Sequence, residues 1–286
     1  MNSVLGIIGG TGLQEIRGLK VVEQRTLDTP FGSPSSAVTM GELDGQPVAL
    51  LIRHGEGHYI LPSEVNYRAN VHALKQLGVE RLLSISACGS LREEHAPGHV
   101  VIPDQIFDLT RNRKRTFFGE GVVAHVSVAN PFCPVLSGWS AESVRAAGGD
   151  VHQGGALVTI EGPRFSTRAE SNVFRAWGMA LVGMTASPEA FLAREAEMCY
   201  ATMAHVTDYD VWHASLEPVT VEVVARTLHA NTELMQRSIL DLVRRVQPGR
   251  TCECGHALEG AIVTRPERIP PETRRRLALL VDRHLD

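Results

Sequence analysis

What most constrains this chain is an alternation. Short apolar runs, VLGII (4–8), VALLI (48–52), ERLLSIS (80–86), VVI (100–102), ALVTI (156–160), ALVGM (180–184) and CYATMAHV (199–206), recur with helical patterns among them. In SEVNYRANVHALKQLG, opened by Pro62 and Ser63, the residues Val65, Ala69, Leu74 and Leu77 form an apolar stripe that Gly78 ends. In SPEAFLAREAEM, Ser187 suits an N-cap, Pro188 the first helical position and Glu189 the first turn. Strands alternating with helices predict an α/β fold, a single domain with a central mixed, largely parallel sheet flanked by helices. Residues 1–247 would form that domain. Residues 248–286 would be a C-terminal extension packed on it, carrying TCECGH and a final helix, ETRRRLALLVDRHL.

The strands share an ending. GGTG, RHGEGH, ACGSL, EGPRF, TASPE and TDYD follow successive apolar runs, so each strand leads into Gly, Thr, Ser, Arg, His or Asp. Ligands of open α/β sheets bind just outside the carboxyl ends of the strands, where one site can collect these groups. Composition narrows the partners. At 286 residues, 43% hydrophobic and 21% charged, the chain has material for a sizeable core. A net charge of −4 offers no footprint for nucleic acid, and the basic run RNRKR (111–115) reads as a solvated loop. No apolar stretch reaches the roughly 18 residues of a membrane helix. The opening MNSVLGIIGG has neither a basic n-region nor a cleavage site for secretion. Five scattered cysteines make no disulfide framework. A cytoplasmic protein without nucleic-acid or membrane partners is expected.

The motifs differ in weight. GGTG fails as a dinucleotide fingerprint because the third glycine would fall at Glu15, and it lacks the lysine of a P-loop. Its backbone N–H groups and the Thr11 hydroxyl still suit an anion, the alternative being a plain tight turn. In RHGEGH, Arg53 can make forked bonds to phosphate oxygens and His54 can add a donor. His54 and His58 lie four apart, but flanking glycines argue against a helix and no further ligand motif appears, so no metal is expected there. Cys88 has no thiol-enzyme signature and reads as a small buried thiol. Thr185 stands just before a helix start, a good place to hold an anion. In CECGH, Cys252, Cys254 and His256 are too few, and wrongly spaced, for a zinc half-site. A local disulfide or plain thiols are expected. Asp208 and Asp210, in VTDYDVWH, would leave the strand end on one face if the strand continues. Alternatively, one caps a turn and the other is solvated.

In order and spacing, GGTGL, DTPFGSPS (28–35), RHG, LPSEVNYRAN (61–70), ACGSLREE, NPFCP (130–134), IEGPRFSTRAES and TDYD closely resemble the 5'-methylthioadenosine phosphorylase family of the trimeric purine nucleoside phosphorylase superfamily. The resemblance implies a purine nucleoside phosphorylase-like fold. It implies cleavage of a purine nucleoside by inorganic phosphate, a co-substrate, to a free purine and a pentose 1-phosphate, with no cofactor. Position by position, it assigns phosphate binding to Thr11, Arg53, His54, the Ser86–Ala87 turn and Thr185. Base and ribose contacts fall to Phe165, Met184, Asp208 and Asp210, with His58 near the ribose. Ser166, Val221 and Ala225 match positions tied to substrate choice. His125 matches a residue donated to the neighbouring active site of a homotrimer or dimer of trimers. Two departures stand out: Ser86 replaces a frequent Thr but keeps the hydroxyl, and Ala225 replaces bulkier aliphatic residues of the 5' pocket, leaving the 5' substituent open. The CxC segment and final helix resemble an extension of some microbial members.

The chemistry of such a site follows from its groups. The transition state is oxocarbenium-like, as in glycoside hydrolysis, and an anionic phosphate beneath the sugar both stabilises it and attacks C1'. A neutral Asp208 can donate to purine N7 while its other oxygen accepts from a 6-amino group; an Asn would instead match a 6-oxopurine. In VTVEVVA (219–225) only Thr220 could bond a 5'-hydroxyl, so an apolar 5'-methylthio group fits, although such a stripe also suits a helix core face. The expected reaction is therefore phosphorolysis of 5'-methylthioadenosine to adenine and 5-methylthioribose 1-phosphate, in purine and methionine salvage. Alternatives are another 5'-modified adenosine (5'-deoxy or 5'-halo), or a 6-oxopurine nucleoside such as inosine or methylthioinosine. A nucleosidase would use water and need no Arg53–His54 clamp. A non-catalytic nucleoside-binding protein would most cheaply lose Asp208 or Arg53, and both are present.

Overall fold

The apolar runs become strands because both of their faces are covered. The computed structural model describes residues 4–213 and 221–285. Along it lie β1 (Val4–Gly9), β2 (Lys20–Arg25), β3 (Val38–Leu43), β4 (Gln46–Ile52), α1 (Tyr67–Gln76), β5 (Val79–Ser90), β6 (Val100–Ile102) and β7 (Gln105–Asp108). Then come α2 (Pro134–Ala146), β8 (Val151–Gln153), β9 (Ala156–Thr159), α3 (Arg168–Ala176), β10 (Leu181–Gly183), α4 (Ala186–Glu195), β11 (Cys199–Asp208), α5 (Val221–Arg245) and α6 (Pro271–Val281). Alternate residues of a strand face opposite sides. Accordingly Ile8, Leu51, Leu82 and Tyr200 join one buried cluster, with residues of α1, α4 and α6. Their neighbours Ile7, Leu50, Leu83 and Ala201 join another, with residues of α2 and α5. Strands covered on both sides read as continuous apolar stretches.

Among the described residues the sheet has eleven strands. Its centre is parallel, β4–β1–β5–β11. Antiparallel pairs join β10 to β5, β6 to β11, and β2 and β3 to the β4 edge, so the sheet is mixed and largely parallel as expected. All ten residues of β11 are buried. No helix among the described residues is long and apolar enough to cross a membrane.

Three local expectations are corrected. Helix α1 begins at Tyr67 rather than at Ser63, because Asn66 is the N-cap and its side chain accepts from the Ala69 N–H. Strand β5 does not stop at Ser86. It runs to Ser90, because β11 pairs with it as far as Gly89 and β10 pairs with Gly89 and Ser90. The run RNRKR is not simply solvated. Arg113 is buried and donates to Glu161 Oε1 (3.0 Å), Tyr67 Oη (3.1 Å) and the carbonyls of Met184 and Ser187 (both 2.7 Å). Its fork binds the EGPRF loop to the MTASPE loop.

Residues of the extension complete the core: Leu277, Leu280 and Val281 of α6 are buried against the strand face that carries Ile8. Glu197, buried between α4 and β11, accepts from the Leu258 N–H (3.1 Å) and pairs with Arg283 and His284.

Burial also sets the acid response. Histidines 54, 72 and 205 are buried, and desolvation lowers each from the ordinary 6.5 to about 4. The unfolded chain therefore binds more protons between those values, and stability falls as pH drops from 6.5 towards 4. Glu195, raised by burial to about 7, acts in the opposite sense over part of that range. His72 has both ring nitrogens without a partner, beside the rings of Phe31 and Phe117. His72→Leu should therefore flatten the acid limb by up to about 1.4 kcal/mol per pH unit. Urea unfolding at pH 7, 6, 5 and 4.5 measures this; an unchanged slope would show that His72 is not held neutral.

Candidate active site

The carboxyl ends of the strands enclose one cavity of about 310 Å³. Thr11 reaches it from the end of β1, and His54 and His58 from the loop after β4. Ala87, Cys88 and Gly89 come from β5, Phe165 and Ser166 from the loop after β9, Met184 and Thr185 from the segment after β10, and Asp208 and Asp210 from the end of β11. Residues 59–62 form a further wall. The loops are tied to the scaffold: Asn70 of α1 accepts from the Ser35 N–H (2.8 Å) and donates to Ser35 Oγ (3.0 Å), docking the DTPFGSPS segment.

One end suits an anion. Thr185, ahead of α4, makes no capping bond, and its Oγ1 lies 3.3 Å from Ser86 Oγ. Ser86 in turn lies 3.5 Å from Ser84 Oγ, which accepts from Arg53 Nη2 at 2.6 Å. The hydroxyls thus lead from a cation to the cavity. Arg53 itself sits behind the wall. Its Nε and Nη2 donate to the two oxygens of Glu189 (2.8 and 3.0 Å), and Nη1 donates to the Ile85 carbonyl (3.1 Å). The expected fork towards phosphate is therefore taken up by Glu189, and at most one N–H of Arg53 remains. Burial disfavours the guanidinium charge, but Glu189 more than offsets this, and the pKa is raised. Gly10 is required at this point, since a Cβ there would stand 2.4 Å from the Ile85 carbonyl oxygen and 2.6 Å from Arg53 Nη1.

His54 also departs from expectation. Its Nδ1 lies 2.8 Å from the Ile60 carbonyl, which can only accept, so Nδ1 carries the proton. Burial and the Arg53 charge lower its pKa to about 4, and Nε2 of the neutral ring is an acceptor, not a second donor. Ser86 and Ala87 lie on β5, not in a turn.

The other end carries the carboxylates. Strand β11 ends at Asp208, so Asp210 does not follow by strand alternation. Instead Asp208 Oδ1 accepts from the Asp210 N–H at 2.8 Å, an Asx turn, and Asp210 takes a left-handed backbone (φ 47°) that Asp tolerates. Asp208 does cap a turn, yet neither carboxylate is solvated: both are buried and line the cavity. Burial raises the pKa of Asp208, and the nearby Asp210 adds to this against the bonds from Thr207 Oγ1 (2.6 Å) and the Asp210 N–H. Asp210 is likewise raised, because burial outweighs the hydroxyls of Ser171 and Ser166 and the Val211 N–H, which favour its anion. Cys88 is pushed up to about 12 by burial and is no nucleophile at neutral pH.

The cavity thus gathers Thr11, His54, His58, Ala87, Phe165, Ser166, Met184, Thr185, Asp208 and Asp210, with Arg53 and Ser86 immediately behind. His125 is exposed and away from this cavity, on a segment whose backbone pairs with the extension (His125 N–H to Ala261 O, 2.9 Å). Val221 and Ala225 start helix α5, but their side chains lie outside the described residues, as do Val219 and Thr220 altogether. Glu189 and Arg113 were missed as site builders. A carboxylate within the apolar run PEAFLA was the available signal for Glu189; Arg113 had none, since its partners, Glu161, Tyr67 and backbone carbonyls, are all remote in sequence.

A strand-end cavity that combines a hydroxyl chain backed by a cation with two buried carboxylates has the groups that a nucleoside-cleaving enzyme needs. The model of the Phosphorylase superfamily matches residues 4–244. The chain is 53% identical to S-methyl-5'-thioadenosine phosphorylase of Chloroflexus aurantiacus and 49% identical to that of Geobacter sulfurreducens, covering 99% of each and 99% and 98% of this chain. Among solved structures, a methylthioadenosine phosphorylase from an antarctic soil metagenomic library superposes with a TM-score of 0.91 at 43% identity, over 98% of this chain and 99% of the other. The Schistosoma mansoni methylthioadenosine phosphorylase, in complex with adenine, superposes with a TM-score of 0.85 at 35% identity, over 98% of each chain. The chain belongs to the phosphorylase superfamily and, within it, to the family of S-methyl-5'-thioadenosine phosphorylases.

The Arg53–Glu189 pair makes a sharp prediction. Both side chains are almost completely buried. Glu189→Ala would leave an unpaired buried charge and cost on the order of 3–5 kcal/mol of stability, read as the shift in urea midpoint. A loss no larger than that of an exposed pair would mean that water reaches Arg53.

Proposed function

We propose that this cavity performs the phosphorolysis of 5'-methylthioadenosine, giving adenine and 5-methylthioribose 1-phosphate. The observation that carries the proposal is the pair of buried carboxylates that line the same cavity as the hydroxyl chain, beside Gly89, three residues beyond Ser86 along β5. Methylthioadenosine phosphorylases, one of them 53% identical over nearly the whole chain, support it. So does the Schistosoma mansoni relative, solved with adenine and, as a variant, with methylthioadenosine.

Inorganic phosphate is held by Thr11, Ser86 and Thr185, the Ala87 backbone and the one remaining Arg53 N–H. The Nε2 of neutral His54 accepts a hydrogen bond from a phosphate hydroxyl, which keeps its proton. Arg53 contributes mainly at one remove, as a fixed positive charge in a site of low dielectric. The bound phosphate oxygen forms a bond to C1' as the C1'–N9 bond breaks, and its charge stabilises the oxocarbenium-like state between them. Electrons of the broken bond flow into the purine. Asp208, kept protonated by burial and by Asp210, gives its proton to N7, so adenine leaves neutral and Asp208 becomes a carboxylate to be reprotonated from solvent. Because the two acids sit in one turn, they titrate as a coupled pair. The other Asp208 oxygen accepts from the 6-amino group and selects adenine.

Ser166 and the apolar walls receive the base and ribose with Phe165, Met184 and His58. Val221 and Ala225 shape the 5' pocket. His125 reaches a neighbouring copy in a homotrimer or dimer of trimers, and the enzyme works in the cytoplasm in purine and methionine salvage. An ultracentrifugation mass of one 31.1 kDa chain would count against the trimer.

Chromatography of reactions with methylthioadenosine, adenosine, inosine and methylthioinosine, each with and without phosphate, tests the activity. Phosphate-dependent release of adenine, fastest from methylthioadenosine, is expected; release without phosphate would make the enzyme a nucleosidase. Asp208→Asn should lower turnover of adenine nucleosides by on the order of 10²–10⁴ and shift preference towards inosine types. Unchanged selectivity would remove Asp208 from base recognition.

A further inference from the structure

Away from the active site, at the opposite end of β11, the fold gathers four of the five cysteines. Cys133 is the N-cap of α2, Cys199 opens β11, and Cys252 and Cys254 come from the CECGH segment of the extension. Their four sulfur atoms all lie within 4.8 Å of one another, and the sulfurs of Cys199 and Cys252 are 3.3 Å apart. All are free thiols, so of the two states expected for CECGH, a local disulfide or plain thiols, it is the plain thiols that are present. Counting ligands within CECGH missed the site because its other half lies 53 residues and more upstream, brought in by α2 and β11.

We propose that these four cysteines form a closed, structural zinc site that staples the extension to the core. A zinc ion with sulfur ligands at about 2.3 Å places them on a tetrahedron with edges of about 3.8 Å, inside the observed spread. Four sulfurs without oxygen or nitrogen ligands select a soft, tetrahedral ion. Cys133, Cys199 and Cys254 are buried, while Cys252 is half-buried and opens on a small cavity that Arg81 and Arg250 also line. That opening provides an entry path. The two cations offset the double negative charge of a zinc tetrathiolate, and the Leu136 N–H points at Cys133 Sγ (3.4 Å), a bond that orients and stabilises a thiolate. The surroundings hold the two halves in register: Arg250 donates to the Glu197 carbonyl at 2.6 Å, and Glu197 clamps the extension two residues before Cys199. On binding, the ion displaces the thiol protons to solvent, with no change of oxidation state.

The ten-residue length of β11 places this site about 30 Å from Asp208. The ion is therefore structural, and its loss should be read in stability. The test is metal analysis of protein expressed with zinc and purified under reductant, followed by mercurial titration against a colorimetric zinc indicator. About one zinc per chain is expected, released as the thiols are titrated. Cys252→Ser should lose the zinc and melt several degrees lower, whereas Cys252→His, which restores a ligand, should retain it. Cys88→Ser, outside the cluster, should leave zinc content unchanged. Zinc-free protein, iron in its place, disulfides among these cysteines in intact-mass spectra, or equal zinc content in Cys252→Ser would each overturn the proposal.

Discussion

The active end of this molecule depends on a charge that is not on its surface. Arg53 is held by Glu189 inside the protein, and Glu189 also accepts from Tyr200 Oη at 2.9 Å. That one ion pair joins the end of β4, the Ser84 and Ile85 positions of β5, the first turn of α4 and the second residue of β11. Burying two charges is costly and seldom adds net stability. What it provides is register: the strand ends that carry Thr11, Ser86 and Thr185 cannot move apart without exposing an unpaired guanidinium. A positive potential is thereby fixed behind the hydroxyls before any anion arrives, and no side chain need reorganise.

At the other end the same low dielectric acts with the opposite sign. Burial that the Arg53–Glu189 pairing offsets penalises Asp208 and Asp210 as anions, since no cation pairs with either among the described residues. A carboxyl group that protonates becomes a donor as well as an acceptor, which is the property the proposed base contact uses. The Asx turn fixes the orientation of Asp208, and the left-handed backbone of Asp210 turns the chain sharply enough to keep both inside.

Much of this was legible in the residues. The unbroken apolar runs marked strands covered on both faces, and their polar endings marked the strand edge where the cavity lies. Thr11, Thr185, Asp208 and Asp210 were found because each stands at such an ending. What escaped depended on partners far along the chain. The continuation of β5 to Ser90 is set by β10 and β11, both far along the chain. Arg113 looked like one base among several, and only the meeting of two loops removes it from water. His54 was expected to donate, but the Ile60 carbonyl claims its proton.

By itself the sequence determined the class of fold, the edge at which chemistry gathers and the kinds of groups present there, because period, turn residues and strand endings are local properties. Only the tertiary structure decided what state those groups are in. Whether Arg53 points at a ligand or at Glu189, which nitrogen of His54 carries the proton, whether Asp208 is an acid or its anion, and whether four cysteines meet are all questions of distance and dielectric. Those quantities exist only once residues remote in the chain have been packed together.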